Sequence, residues 1–131
     1  AMPAAYQNEI GMKEAEGMVK NGLKYYIEVA NMPTTNEALT YLQKNVHVVA
    51  PSKAVNAGGV ATSALEMAQN SERLVWEPEE VDQKLHGIMK NIHDAAAKAA
   101  ADYGLGYDLV AGANIAGFRK VADAMMAQGL I

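Results

Sequence analysis

Between Leu23 and Ala50 a strand-like run, a capped helical stretch and a second strand-like run follow one another within about thirty residues, the length of one βαβ unit. Leu23-Lys24-Tyr25-Tyr26-Ile27-Glu28-Val29-Ala30 is short and rich in aromatic and β-branched residues, so it reads as a strand that Asn31-Met32-Pro33 ends. Thr34 followed three residues later by Glu37 is a capping box. It predicts a helix through Ala38, Leu39 and Leu42 to about Asn45, and Val46-His47-Val48-Val49-Ala50 is then a second strand. A unit of this kind should be parallel and right-handed, which points to an α/β protein.

The second strand runs directly into Pro51-Ser52-Lys53-Ala54-Val55-Asn56-Ala57-Gly58-Gly59-Val60-Ala61-Thr62-Ser63, a small-residue turn that opens a helix. Open α/β sheets place ligands at such turns, where unpaired N–H groups and the helix dipole favour an anion. Val60, Ala64, Met67 and Ala68 are expected to form the inward stripe of that helix. Gly58-Gly59 fits neither a GxGxxG fingerprint nor a P-loop, so spacing leaves a ligand role and a packing pair equally open. Asn56 suits a carboxamide or carboxylate partner, and it also suits an N-terminal helix cap. Gly112-Ala113-Asn114-Ile115-Ala116-Gly117 fails the same template and reads better as close helix packing.

The remaining elements are helical. Gln7 to Lys20 turns Ile10, Met18 and Val19 inward and stops at Asn21-Gly22. Pro78 starts a long helix with Val81, Leu85, Ile88, Ile92, Ala95 and Ala99 inward as far as Tyr103-Gly104. Leu105 to Ala113 is expected as a connection, and Phe118, Val121, Ala122, Met125 and Met126 mark a last amphipathic helix ending near Gly129. Two parallel strands make a poor sheet, because both faces need cover and both edges need partners. The expectation is therefore the second half of a doubly wound, Rossmann-like parallel sheet with flanking helices, followed by long C-terminal helices. Met2-Pro3-Ala4-Ala5 would be the loop leaving a strand that lies before residue 1.

Composition removes several classes of function. With 131 residues, 50% of them hydrophobic, the chain is one domain or part of one. A net charge of -4 without a basic stripe argues against nucleic acid. No run approaches the roughly 18 apolar residues of a membrane span. Zero cysteines exclude disulfides, thiolate metal sites and a cysteine nucleophile, and they fit a reducing compartment, the cytoplasm by default. His86 and His93 on one helix stand roughly 10 Å apart along its axis, too far to share one ion, so no metal is expected. Glu79, Glu80 and Asp82 complement the dipole of the long helix, and the eight methionines read as gap-filling core residues.

Four stretches together carry a family resemblance: Ala30 to Thr35, Pro51 to Ser63, Glu66-Met67-Ala68-Gln69-Asn70, and Gly112 to Phe118. In this order, over essentially all 131 residues, the chain resembles the C-terminal part of bacterial hexameric glutamate dehydrogenase, most closely the clostridial NAD-using type. The resemblance implies NAD- or NADP-dependent oxidative deamination of L-glutamate to 2-oxoglutarate and ammonia in a homo-hexamer. It implies that Val60 and Ser63 hold the substrate's side-chain carboxylate, and that Asn31, Asn56, Ala4 and Ala5 lie beside the nicotinamide end of the cofactor. Residues up to about 112 would complete a nucleotide-binding domain, and those from about 113 to 131 would return to pack on the substrate domain. The family's catalytic lysine and aspartate and its glycine fingerprint match nothing in these residues, so no catalytic residue is assigned. The chain alone is expected to be inactive and to self-associate.

Two departures stand out: Tyr6 replaces a usual threonine in Pro3-Ala4-Ala5-Tyr6-Gln7-Asn8-Glu9, and Ala64 follows Ser63 where glycine is usual. Two other readings compete. One is a free-standing α/β binding or interaction module, and the other is a relative acting on apolar amino acids. Ser63 argues against the second, since a hydroxyl suits a carboxylate and does nothing for an alkyl chain.

Overall fold

The computed structural model describes residues 1–129. Strands β1 (Tyr25–Ile27) and β2 (Val48–Ala50) pair in parallel, with Tyr25 opposite Val48, Tyr26 opposite Val49 and Ile27 opposite Ala50. Helix α1 (Met12–Lys20) precedes β1, and α2 (Asn36–Asn45) connects the two strands, so the expected βαβ unit is present. After β2 come a single helical turn α3 (Ser52–Val55), α4 (Ala57–Glu72), the long α5 (Pro78–Asp102) and α6 (Leu109–Gln128).

Both edges of β1 are used. Even-numbered residues face β2, as where the Glu28 amide donates to the Ala50 carbonyl at 3.0 Å. Ile27 and Val29 face the start of the chain, donating to the Ala1 and Pro3 carbonyls, and just past the strand Ala30 also donates to the Pro3 carbonyl, all at 3.0 Å. Ala1 to Pro3 therefore lies alongside β1, and only the residues after Pro3 depart as a loop.

Tyr26, Leu42, Ala15, Ala38 and Val49 form a buried cluster between β1, β2, α1 and α2. A buried phenol needs a hydrogen-bond partner, and this decides how α2 begins. Thr34 turns inward and its hydroxyl meets Tyr26 Oη at 2.7 Å, so Thr35, not Thr34, caps α2 by accepting the Ala38 amide. The start of α1 shifts for a similar reason. Asn8 and Ile10 donate to the Met32 and Pro33 carbonyls at 3.0 and 2.9 Å, which ties the turn at Gln7-Asn8, with Asn8 at φ 56, and the residues after it to the loop that follows β1 and delays the helix to Met12. Gly22, at φ 81, closes α1 as the Asn-Gly stop predicts.

The second half corrects three expectations. Asp108 Oδ1 accepts the Val110 and Ala111 amides at 3.0 Å, so α6 begins at Leu109 and the expected connection as far as Ala113 is mostly helix. Gly112 then lies inside α6 against α5, where a Cβ would come within 2.0 Å of the Ala96 carbonyl oxygen; close packing is the reason for this glycine. On α5 the buried stripe is Ala96, Ala99 and Ala100, and Ala95, one position round the helix, is exposed. The inward stripe expected on α4 does not form. None of its residues is buried, and Val60 and Met67 are 71% and 66% exposed, because α4 meets the rest of the chain chiefly along α5, where Gly58 faces Met89.

Candidate functional site at the strand ends

Parallel strands end on one side of the sheet, and here that side gathers the loops after β1 and β2. Glu28, just past β1, is 3% exposed, and its Oε2 accepts the Ser52 amide at 3.1 Å. A carboxylate buried this far needs a donor, and the first amide of α3 supplies it. A cleft of about 510 Å³ opens beside this contact, lined among others by Glu28, Thr34, Thr35, Ser52, Lys53 and Asn114. The Lys53 ammonium donates to Asn114 Oδ1, which fastens the first turns of α6 to the end of β2.

Asn56 joins α3 to α4 in a helical conformation, φ -76 and ψ -5, with no cap bond from its side chain. The capping role that sequence spacing allowed is therefore not used. Because backbone helicity runs almost unbroken from Ser52, Asn56, Val60 and Ser63 stand at i, i+4 and i+7, on one face. Val60 on that face is exposed, and the Ser63 hydroxyl donates back to the Gly59 carbonyl at 3.3 Å, a weak bond readily exchanged. Gly59 has nothing within 4 Å of where a Cβ would stand, and Gly58 only ordinary contact with Met89. Packing within this chain requires neither glycine, although each costs helix stability.

Asn31 follows β1 in an exposed bend, beside Met32 in the left-handed region at φ 47. Ala4 and Ala5 are exposed and reach the same corner, because the Pro3 carbonyl accepts the Val29 and Ala30 amides and Ala5 donates to Glu9 Oε1 at 2.9 Å. The fold thus places Ala4, Ala5 and Asn31 together after β1, and Asn56, Val60 and Ser63 on one stripe after β2. The 510 Å³ cleft is lined by neither group. Glu28, Lys53 and Asn114 were missed in the sequence, although an acid in the middle of an apolar strand run is itself a signal that a donor waits in the fold.

Titratable groups outside this region belong to structure. His93 bonds Asp94 Oδ1 at 3.0 Å and also the Tyr107 hydroxyl, and no group of three or more His, Asp or Glu side chains among the described residues is placed to hold a metal ion. Hydrogen bonds from Lys90 and then His93 hold the Asp94 carboxyl below its usual range, and Lys98 does the same for Asp102. Burial raises the Tyr26 phenol, with the Thr34 hydrogen bond partly opposing it.

A parallel βαβ unit with its candidate site at the carboxyl ends of the strands follows the general pattern of ligand-binding α/β proteins. Residues 1–129 match the sequence pattern of the Glutamate/Leucine/Phenylalanine/Valine dehydrogenases, and the chain belongs to that family. It is 65% identical over 130 residues to the NAD-specific glutamate dehydrogenase of Clostridium symbiosum, a match spanning 98% of this chain and 29% of that protein. Against the NADP-specific glutamate dehydrogenase of Escherichia coli K12 the identity is 53% over 131 residues, again 29% of that protein. The solved structure of Plasmodium falciparum glutamate dehydrogenase superposes with a TM-score of 0.92 at 47% identity, covering all of this chain and 28% of that one. The chain thus spans less than a third of the length of the relatives it matches. No helix among the described residues is long and apolar enough to cross a membrane.

Proposed function

We propose that this chain supplies the glutamate-recognising and nicotinamide-facing wall of an NAD- or NADP-dependent glutamate dehydrogenase, which oxidatively deaminates L-glutamate to 2-oxoglutarate and ammonia. The observation that carries the reading is the stripe of half-buried Asn56 and exposed Val60 and Ser63 after β2, beside glycines that packing within the chain does not require. In this reading the Ser63 hydroxyl, one turn into α4, leaves Gly59 to donate to the substrate's side-chain carboxylate while Val60 covers its methylenes. The Asn56 carboxamide, which makes no hydrogen bond among the described residues, has a free donor and acceptor for the nicotinamide carboxamide. Asn31 with Ala4 and Ala5 borders the nicotinamide ribose from the β1 side. The bound nicotinamide supplies the hydride acceptor, and these residues orient it and the substrate against each other.

In the same reading, residues to about 112 are the second half of a doubly wound nucleotide-binding sheet. The rest of α6 packs on the substrate domain of a homo-hexameric, cytoplasmic enzyme. No residue here is assigned an acid–base role, so the 131-residue chain alone should not turn over glutamate. The deciding experiment replaces Ser63 by Ala in a glutamate dehydrogenase of full family length carrying these residues. Removing a hydroxyl that serves only a carboxylate should reduce kcat/KM for glutamate by about tenfold or more and leave norvaline nearly unchanged. Equal losses for the two substrates would remove Ser63 from the carboxylate site and reopen the reading of a dehydrogenase for apolar amino acids.

A further inference from the structure

Glu28 touches none of the residues assigned above to substrate or cofactor, yet an unbroken hydrogen-bonded path leads from it to them. Its Oε2 accepts the Ser52 amide at 3.1 Å; the Ser52 carbonyl accepts the Asn56 amide at 2.9 Å; the Asn56 carbonyl accepts the Gly59 amide at 3.1 Å; and the Gly59 carbonyl accepts the Ser63 hydroxyl at 3.3 Å. The path begins at a fixed point. Glu28 is 3% exposed, its own amide donates to the Ala50 carbonyl at 3.0 Å, and it stands three residues before Asn31 on the same strand exit.

Ser52 is also buried, so withdrawing the carboxyl oxygen costs its amide a hydrogen bond that only the neighbouring cleft could replace. Lys53, the next residue, is held only by an exposed contact to Asn114. The one buried polar tie between the exit of β1 and the turn after β2 among the described residues is thus Glu28 to Ser52.

We infer that Glu28 is a positioning residue for the reaction: its carboxyl oxygen sets where the turn carrying Asn56, Val60 and Ser63 stands relative to Asn31, and so tunes the preference for a substrate with a side-chain carboxylate. The inference rests on the reading of Ser63 given above. It concerns reach and not charge, and two conservative variants separate these. Glu28→Gln keeps an acceptor oxygen at the same distance and loses the charge; Glu28→Asp keeps the charge but is shorter by one carbon–carbon bond.

Both variants, with Ser63→Ala alongside, are made in a glutamate dehydrogenase of full family length containing these residues. The readout is the ratio of kcat/KM for glutamate to that for norvaline, which does not depend on how much enzyme is folded. Glu28→Asp should lower that ratio about tenfold, since a misplacement near 1 Å is enough for such losses, and Glu28→Gln should stay within about threefold of the parent. A parental ratio in Glu28→Asp, or a Glu28→Gln enzyme as impaired as Glu28→Asp, overturns the inference. If Ser63→Ala leaves the ratio unchanged, it is the assignment of Ser63 that has failed, whatever the Glu28 variants do.

Discussion

Tyr26 and Thr34 show how one buried hydroxyl organises its surroundings. The phenol sits at the centre of the cluster around β1, and its 2.7 Å bond to Thr34 takes that side chain away from the helix start. Thr34→Val preserves shape while leaving a buried hydroxyl unpaired, and should cost about 1–3 kcal/mol, read as a lower urea midpoint at unchanged slope. The same site gives the molecule an alkaline limit. Burial raises the Tyr26 phenol above 10.0, so below pH 10.0 folded and unfolded chains both keep the proton and the contribution is complete. As pH rises through the folded value, the unfolded chain has already released its proton and stability falls. Urea midpoints measured from neutral pH to about pH 11 should decline at the alkaline end, and Tyr26→Phe should lessen that decline.

Helix α6 carries two glycines with opposite reasons for being there. Gly112 presses on the α5 backbone, where a methyl group would stand 2.0 Å from the Ala96 oxygen and 3.1 Å from the Ala100 Cβ. Gly117, on the same helix, has nothing within 4 Å. Gly112→Ala should therefore force the helices apart at a cost of about 3 kcal/mol or more, whereas Gly117→Ala should stabilise by up to about 1 kcal/mol. Thermal melts of the two variants moving in the same direction would contradict this account of the α5–α6 contact. Gly112 also marks what a sequence can reveal at this scale. Its small-residue setting signalled close packing correctly, and the strand–helix–strand order between Leu23 and Ala50 revealed the βαβ unit, because both are local patterns. The start of α2 was not legible, since Thr34 and Thr35 are equally good caps until Tyr26 claims one of them. The exposed state of α4 was hidden for a different reason: apolar spacing shows that Val60 and Met67 share a face but not whether anything in the chain covers it. Within the candidate site, Val60, Ser63 and Asn56 could be picked out by resemblance and turn chemistry. Glu28 could not, because its role depends on an amide 24 positions away.

At the scale of the whole molecule, the two halves are finished differently. Around β1 the cluster of Ala15, Tyr26, Ala38, Leu42 and Val49 is enclosed, but α6 presents Phe118 and Met126 at 69% and 76% exposure, with Val121 and Met125 also open, and α4 adds Val60 and Met67. Phe118, Val121, Met125 and their neighbours recur at helical spacing, so the exposed groups of α6 form a stripe and not scattered singletons. Water-exposed stripes of this kind draw copies of a chain together, and the small net charge of -4 opposes association only weakly. The 131-residue chain by itself should therefore associate as its concentration rises, seen as a growing mean mass by light scattering. Phe118→Glu with Met125→Glu places two charges on the stripe while touching no buried residue. The doubly substituted chain should remain monomeric over the same range and melt within about 0.5 kcal/mol of the parent, the effect expected of surface changes. If the substituted chain associates as strongly as the parent, the attraction lies elsewhere, and the exposed face of α4 becomes the next surface to charge.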